Sequence, residues 1–274
     1  MKNFLYLVQG KKRNVLKYAG LQNLNSDLCI CTFDEEISNQ ELNAKQIIFF
    51  PNSTWAEGRN KQLTLAKILP EKYLYYIFLD DDAVFLKGDF KLFQEKLLHH
   101  EPAIGLPLTT IIKNTNRYNP KLAVQHPFAF DQIVQAYHYK VVEDEISIPF
   151  ITDFDHESWW YSCQINEFLS LAKYKGHVMQ FNDLLIENTG HVWDEENQVA
   201  KDENSNYKGG VTEEGLQKIR EYIELRWGEQ PKLKNTLFHD HLFKESKSIF
   251  KKIFQKKYPA HLIINETDFK KYGK

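Results

Sequence analysis

The sequence predicts an α/β protein built on a mostly parallel central sheet flanked by helices, with a helical, basic C-terminal extension. Three observations carry this. Apolar runs of strand length recur through the first ninety residues, with helical character between the third and fourth of them. The fourth run, residues 75–79, ends abruptly in Asp80-Asp81-Asp82. The last sixty residues then turn lysine-rich with helical spacing.

Taken in order, residues 4–8 read as a first strand closed by Gly10, and residues 28–33 as a second ending at Asp34. Residues 46–50 make a third, stopped by Pro51-Asn52. Residues 54–69 read as a helix, capped by Ser53 or Thr54 with Glu57 in its first turn. Residues 75–79 follow and deliver the acids. Chemistry at the carboxyl ends of strands is how open α/β sheets build nucleotide sites. Residues 90–99 read as a helix and 103–108 as a strand. Residues 113–130 are polar and proline-punctuated, a long surface loop of the kind that often carries function. A helical period over 159–174 stops at Gly176, and short strands follow at 177–181 and 184–186. Residues 193–215 read as a mobile flap or a solvated insertion. Over 244–257, Ile249, Phe250, Ile253 and Phe254 share one helical face ringed by lysines. An ordinary docked helix is the plainer reading, and peripheral contact with an anionic membrane the other. The expected division is a donor half at 1–90, an acceptor half at 91–212 and an extension at 213–274.

A chain of 274 residues accommodates one large domain with an appendage. A formal net charge of −2 gives no global pull toward nucleic acid. No apolar run reaches membrane-span length, and the first apolar segment is too short for a signal peptide. The expected location is therefore cytoplasmic, with the inner face of the membrane as the place for any peripheral contact. Cys29, Cys31 and Cys163 read as buried thiols of a reducing compartment.

A buried strand that finishes in adjacent carboxylates needs something to neutralise them. A divalent cation with oxygen ligands, shared with a phosphate, does this at least cost. In an extended segment, positions i and i+2 point the same way, so Asp80 and Asp82 can face one ligand while Asp81 turns aside. The plain alternative is an acidic turn between two strands.

The Arg59-Asn60 pair at the start of the 54–69 helix, followed by Phe78-Leu79-Asp80-Asp81-Asp82, resembles the donor half of nucleotide-sugar-dependent glycosyltransferases of the GT-A fold. The resemblance covers residues 3 to about 90 with fair specificity and 150–191 loosely. It does not extend to 210–274. It implies that Asp82 holds Mn2+ or Mg2+ against the diphosphate, with Asp80 on the ribose or a metal-bound water. Gln9 and Asp34 fall where that fold contacts base and ribose, Arg59 faces the nucleotide from the helix that it and Asn60 open beneath it, and Asp81 completes the cluster. It implies a nucleoside-diphosphate sugar as donor, uridine diphosphate first among the bases, and a glycan or lipid-linked hydroxyl as acceptor, as in surface-glycan synthesis. His191 falls where the family's metal histidine often lies. Asp153, Asp155 and Glu157 are its candidates for the base that deprotonates the acceptor. Which of the three acts, and whether transfer inverts or retains, stays open. Asp155 has a plain reading as a helix N-cap.

Two rival readings remain. Asp80-x-Asp82-x-Val84 also fits the D-x-D-x-[TV] signature of haloacid dehalogenase-like phosphatases. There the motif opens the first strand, and a later acidic pair completes the Mg2+ site. The third reading is a non-catalytic nucleotide-sugar- or carbohydrate-binding module. Trp159-Trp160 reads as a sugar platform or as core, and His239-Asp240-His241 as a weak metal-like run.

Overall fold

A computed structural model describes residues 2–115, 118–127, 129–174, 177–190, 192–194, 199–201, 212–227 and 244–246. It is a mixed α/β protein with a central sheet flanked by helices. The first half runs β1 (Lys2–Gly10), α1 (Lys12–Val15) with a 3-10 turn over Leu16–Leu21, β2 (Ser26–Thr32), β3 (Gln46–Phe49), α2 (Trp55–Lys67) and β4 (Tyr73–Asp80). Then come β5 (Ala83–Lys87), α3 (Phe90–His100), β6 (Ile104–Thr109), α4 (Thr110–Lys113), β7 (Leu122–Gln125), β8 (Val134–His138) and α5 (Tyr139–Asp144). The remainder is α6 (Trp159–Lys173), β9 (Val178–Asn188), the small hairpin β10 (Val192–Asp194) and β11 (Val199–Lys201), α7 (Glu213–Trp227) and β12 (Lys244–Ser246).

The main sheet has the order β12-β7-β9-β6-β8-β4-β1-β2-β3, with β5 added to β9. Strands β3, β2, β1 and β4 are mutually parallel. Every residue of β2 is buried, which is why this half reads as continuous apolar runs. Beyond β4 the sheet changes character. β8 is antiparallel to both β4 and β6, and β7 and β5 are antiparallel to β9. The parallel part is thus β3, β2, β1 and β4 together with the β6–β9 pair.

Two apolar layers close over the sheet. On one face Tyr6, Val8 and Ile30 pack with Val15 of α1, Tyr18 of the 3-10 turn, and Phe93 and Leu97 of α3. On the other, Leu5, Leu7 and Phe78 pack with Ala56, Leu63 and Ala66 of α2 and Val141 of α5. A third cluster joins α6 to α7 through Tyr161, Ile165, Ile219 and Ile223. Helix α2 starts at a capping box: Thr54 accepts from the Glu57 N–H, and Glu57 accepts from the Thr54 N–H.

Several expectations change. The expected loop at 113–130 contains β7, and β8 and α5 fall where no element was expected. The short strands expected at 177–181 and 184–186 are one strand, β9, whose register against β6 jumps from Phe181 to Leu185. The helix expected over 244–257 begins instead as strand β12, antiparallel to β7. Residues 247–257 lie outside the described residues, as do His239-Asp240-His241 and most of 193–215. Cys29, Cys31 and Cys163 are free and buried, as expected. Among the described residues no helix is long and apolar enough to cross a membrane.

Candidate active site

Strand β1 hydrogen-bonds β2 on one side and β4 on the other, so the chain crosses over in opposite directions from it. Such a switch point opens a crevice at the carboxyl ends of the strands. Gln9 and Asp80 are register partners at this edge. The three acids emerge into it and take three different environments.

Asp81 turns back over β1. Its Oδ2 accepts from the Lys11 N–H at 2.8 Å and from Asn14 Nδ2 at 2.9 Å. Residue 10 must be glycine for this, because a β-carbon there would overlap the Asp81 carboxyl group. Burial pushes the Asp81 carboxyl up, against the pull of these two donors. Asp34 accepts from the next amide, Lys12 N–H, at 2.9 Å. The amides that open α1 are therefore already held by the protein's own carboxylates, and this turn is no phosphate cradle.

Asp80 stays at the crevice, its side chain 18% exposed. Its Oδ1 lies 2.6 Å from Arg59 Nη2, and the Trp55 indole N–H is 3.3 Å from both oxygens. Asp82 sits beyond the turn, against the segment that follows β9. Its backbone carbonyl accepts from the Thr189 N–H at 3.2 Å and from Thr189 Oγ1 at 2.9 Å. Its carboxylate packs on Gly190, where a β-carbon would overlap it. Burial first, then the charges of Asp80, Asp81 and Asp131, push the Asp82 carboxyl up to about 7. Crowded carboxylates of this kind are what a hard divalent cation relieves.

Arg59 was expected to face a nucleotide. It does not: it is 1% exposed and lies beneath Asp80. Its guanidinium carbon stands 4.0 Å from the Trp55 ring centroid, and Nη2 also donates to the Gln132 carbonyl at 2.8 Å. Asn60 is a clamp, pairing its side-chain amide with both backbone groups of Phe150 at 2.8 Å. Gln9 is buried and donates to the Trp55 carbonyl at 3.2 Å. Asp34 is exposed at the edge of the crevice.

The three acids expected to supply a base lie elsewhere. Asp155 is 1% exposed and accepts from Thr54 and Ser162, so it ties α2 to α6. Burial pushes its carboxyl up. It is not the N-cap of α6, a place taken by Ser158. Asp153 and Glu157 are exposed and bound to α7, through Tyr222 at 2.7 Å and Lys218 at 3.0 Å. Trp159 and Trp160 meet edge to face at the start of α6. His191 lies outside the described residues.

Residues not singled out from the sequence complete the site. Trp55 supplies the indole donor to Asp80. Asp131 enters because β8 runs antiparallel to β4: Asp80 N–H donates to the Ile133 carbonyl at 3.0 Å, which brings residues 131–133 alongside 80–82. Among the described residues, no three His, Cys, Asp or Glu side chains converge as a closed metal cage. Asp80 and Asp82 are two hard oxygen donors near enough for the Asp80 charge to raise the Asp82 carboxyl. That suits a Mg2+ or Mn2+ ion which completes its shell with water and substrate phosphate.

No family model matches the chain, and no curated protein matches it in sequence. Among solved structures it is similar to S. aureus TarS 1–349 in complex with UDP-GlcNAc, at 11% identity and a TM-score of 0.48. That match covers 81% of this chain and 66% of the other, just under two thirds of its length. Against the longer S. aureus TarS structure the identity is 12%, the TM-score 0.47, and the coverage 81% and 39%. The A197 protein of STIV matches at 11% identity and a TM-score of 0.40, covering 77% of this chain and 99% of that one.

Proposed function

We propose that this protein transfers a sugar from a nucleoside diphosphate to an acceptor hydroxyl, with Mn2+ or Mg2+ held by Asp80 and Asp82. The observation that carries this reading is the placement of those two carboxylates at the β1–β4 switch point, where burial and the charges of Asp80 and Asp81 push the Asp82 carboxyl up to about 7. A bound cation would offset charge on the departing diphosphate. Arg59 holds Asp80 from below, leaving the carboxylate's outer side toward the crevice. Asp34, exposed at the mouth of β2, lies on the ribose and base side. The diphosphate is assigned to the cation rather than to α1, because Asp81 and Asp34 occupy the amides there. Uridine diphosphate is the donor nucleotide we assign first.

On the far side of Asp80, where the sheet turns antiparallel, Asp131 is the carboxylate we assign to the acceptor proton in an inverting reaction. Asp155 is too buried to reach an acceptor, and Asp153 and Glu157 are occupied by α7. The phosphatase alternative asks Asp80 to be a nucleophile. The signature of that family opens the first strand of its fold, whereas here the acids follow β4, behind β1, β2 and β3.

The test is a panel of nucleotide sugars incubated with protein and Mn2+, reading release of nucleoside diphosphate, with chelator and Asp82→Ala as controls. Metal-dependent release from one donor, lost in the variant, supports the reading. Release of phosphate from a simple phosphomonoester, with silence across the sugar panel, refutes it.

A further inference from the structure

A chain of buried amides runs from the underside of Asp80 to α6. Arg59 Nη1 donates to Gln135 Oε1 at 2.9 Å. Gln135 Nε2 donates to Gln132 Oε1 at 2.6 Å and to Asn166 Oδ1 at 3.4 Å. Gln132 Nε2 passes on to the Cys163 carbonyl at 2.9 Å, and Asn166 Nδ2 to the Ser147 carbonyl at 2.6 Å. Tyr137 OH also donates to Asn166 Oδ1, at 3.0 Å. Gln135 is fully buried, and Gln132 and Asn166 are at most 5% exposed.

The orientation of each amide is fixed. A guanidinium only donates, so the atom facing Nη1 must be the Gln135 oxygen. That sends the Gln135 amine toward Gln132 and Asn166, whose oxygens must accept, and their amines toward the two carbonyls. The one charged member therefore sets the direction of every hydrogen bond behind it. Burying amides yields little net stability even when each is satisfied, so stability is not chiefly what this chain supplies. What the chain supplies is a fixed guanidinium. Arg59 Nε has no hydrogen-bond partner, so the group is oriented by its hydrogen bonds to Gln135, Gln132 and Asp80 and by the rings of Trp55, Phe78 and Phe150.

We infer that Gln135 is a positioning residue for the donor site: by holding Arg59 Nη1 it fixes the Asp80 carboxylate toward the cation. The inference rests on the reading of Asp80 and Asp82 as the cation and diphosphate site. Without the Gln135 oxygen the guanidinium can swing about its long side chain, and Asp80 Oδ1 moves with Nη2. Partners of this kind behind a metal ligand govern its affinity.

Two substitutions separate positioning from plain structure. Gln135→Met keeps the volume and removes the acceptor for Arg59. Gln135→Glu keeps that acceptor but sets a carboxylate against the oxygens of Gln132 and Asn166, so it is the more destabilising change. The readouts are thermal stability and Mn2+ binding by the full chain with and without uridine diphosphate, followed by the electron paramagnetic resonance of free Mn2+. The expected result is Mn2+ affinity down by about tenfold in Gln135→Met and within about threefold of the parent in Gln135→Glu, despite the latter's lower Tm. Affinity that is unchanged in Gln135→Met, or that falls in step with Tm across both variants, overturns the inference. Should the methionine variant not fold, Gln132→Met removes the acceptor behind Gln135 and carries the same comparison. A loss of about threefold is expected there, and no loss overturns the inference. A parent protein that binds no Mn2+ with or without the nucleotide refutes the underlying donor-site reading, a different and distinguishable failure.

Discussion

Arg59 and Asp80 form an ion pair of unequal burial: the guanidinium is 1% exposed and the carboxylate 18%, with Nη2 2.6 Å from Oδ1. The cation is committed to the core while the anion keeps one side at the crevice. Such a pair fixes a carboxylate without removing it from a ligand.

Arg59→Met is expected to lose this hold and the contacts with the rings of Trp55, Phe78 and Phe150. Breaking a buried pair from the cationic side costs about 3 kcal/mol, here tempered by the access of Asp80 to water. Urea denaturation should show that loss. Donor turnover should fall by more than the stability loss explains, because Asp80 is released.

Asp82→Asn should do the opposite to stability. Burial and neighbouring charge raise the folded-state carboxyl to about 7 from an ordinary 3.8. The folded chain thus binds the proton more tightly than the unfolded chain, and stability falls as pH rises from about 4 to about 7. Asparagine escapes that loss. At pH 8 the variant should be more stable than the parent by on the order of 2 kcal/mol, and near pH 4 the two should converge. Thermal unfolding across this range checks it. Mn2+ at pH 8 should stabilise the parent and leave the variant unmoved, which also separates a functional carboxylate from a surplus one.

Gly10→Ala should push Asp81 off the Lys11 amide and Asn14, lowering stability by about 2 kcal/mol through overpacking. Asp81→Ala removes the obstacle. The double variant is therefore expected to be more stable than the two single losses would sum to, a coupling readable in a double-mutant cycle.

The assignment of the acceptor base gives a kinetic contrast. Asp131→Asn should lower transfer to acceptor by about 100-fold while leaving nucleotide binding near the parent value. Asp153→Asn and Glu157→Gln should leave turnover within about twofold, since surface partners such as Tyr222 and Lys218 contribute little. Asp155→Ala should lower Tm by unlinking Thr54 from Ser162, with no change in the pH profile of turnover. A pH-rate profile for each variant decides the matter.

The first half of the sheet was legible because β1, β2 and β4 are buried on both faces and so read as unbroken apolar runs ending at the edge that carries Asp80. The Thr54–Glu57 capping box marked the start of α2 equally plainly. The other half was not legible because its strands bury amides and imidazoles that look solvent-facing in sequence. Gln135 and His138 on β8, and Gln180 and Asn182 on β9, are all at most 3% exposed. Arg59 was read in the right place but facing the wrong way, since a position in a helix does not disclose which partner lies beneath it. Asp131 carries no local signal at all. Only the antiparallel pairing of β8 with β4 brings it to Asp80, and sequence spacing is silent on that pairing. Asp155 looked like a helix cap, yet Ser158 stood nearer the start of α6 and took that role.

The most direct test of the central claim is calorimetric titration of uridine diphosphate into the parent protein and Asp82→Ala, each with Mn2+ and with chelator. The expected result is binding by the parent that requires Mn2+ and is lost in the variant, which would place the diphosphate on a cation held by Asp80 and Asp82. Equal binding in chelator, or undiminished binding by Asp82→Ala, would contradict it.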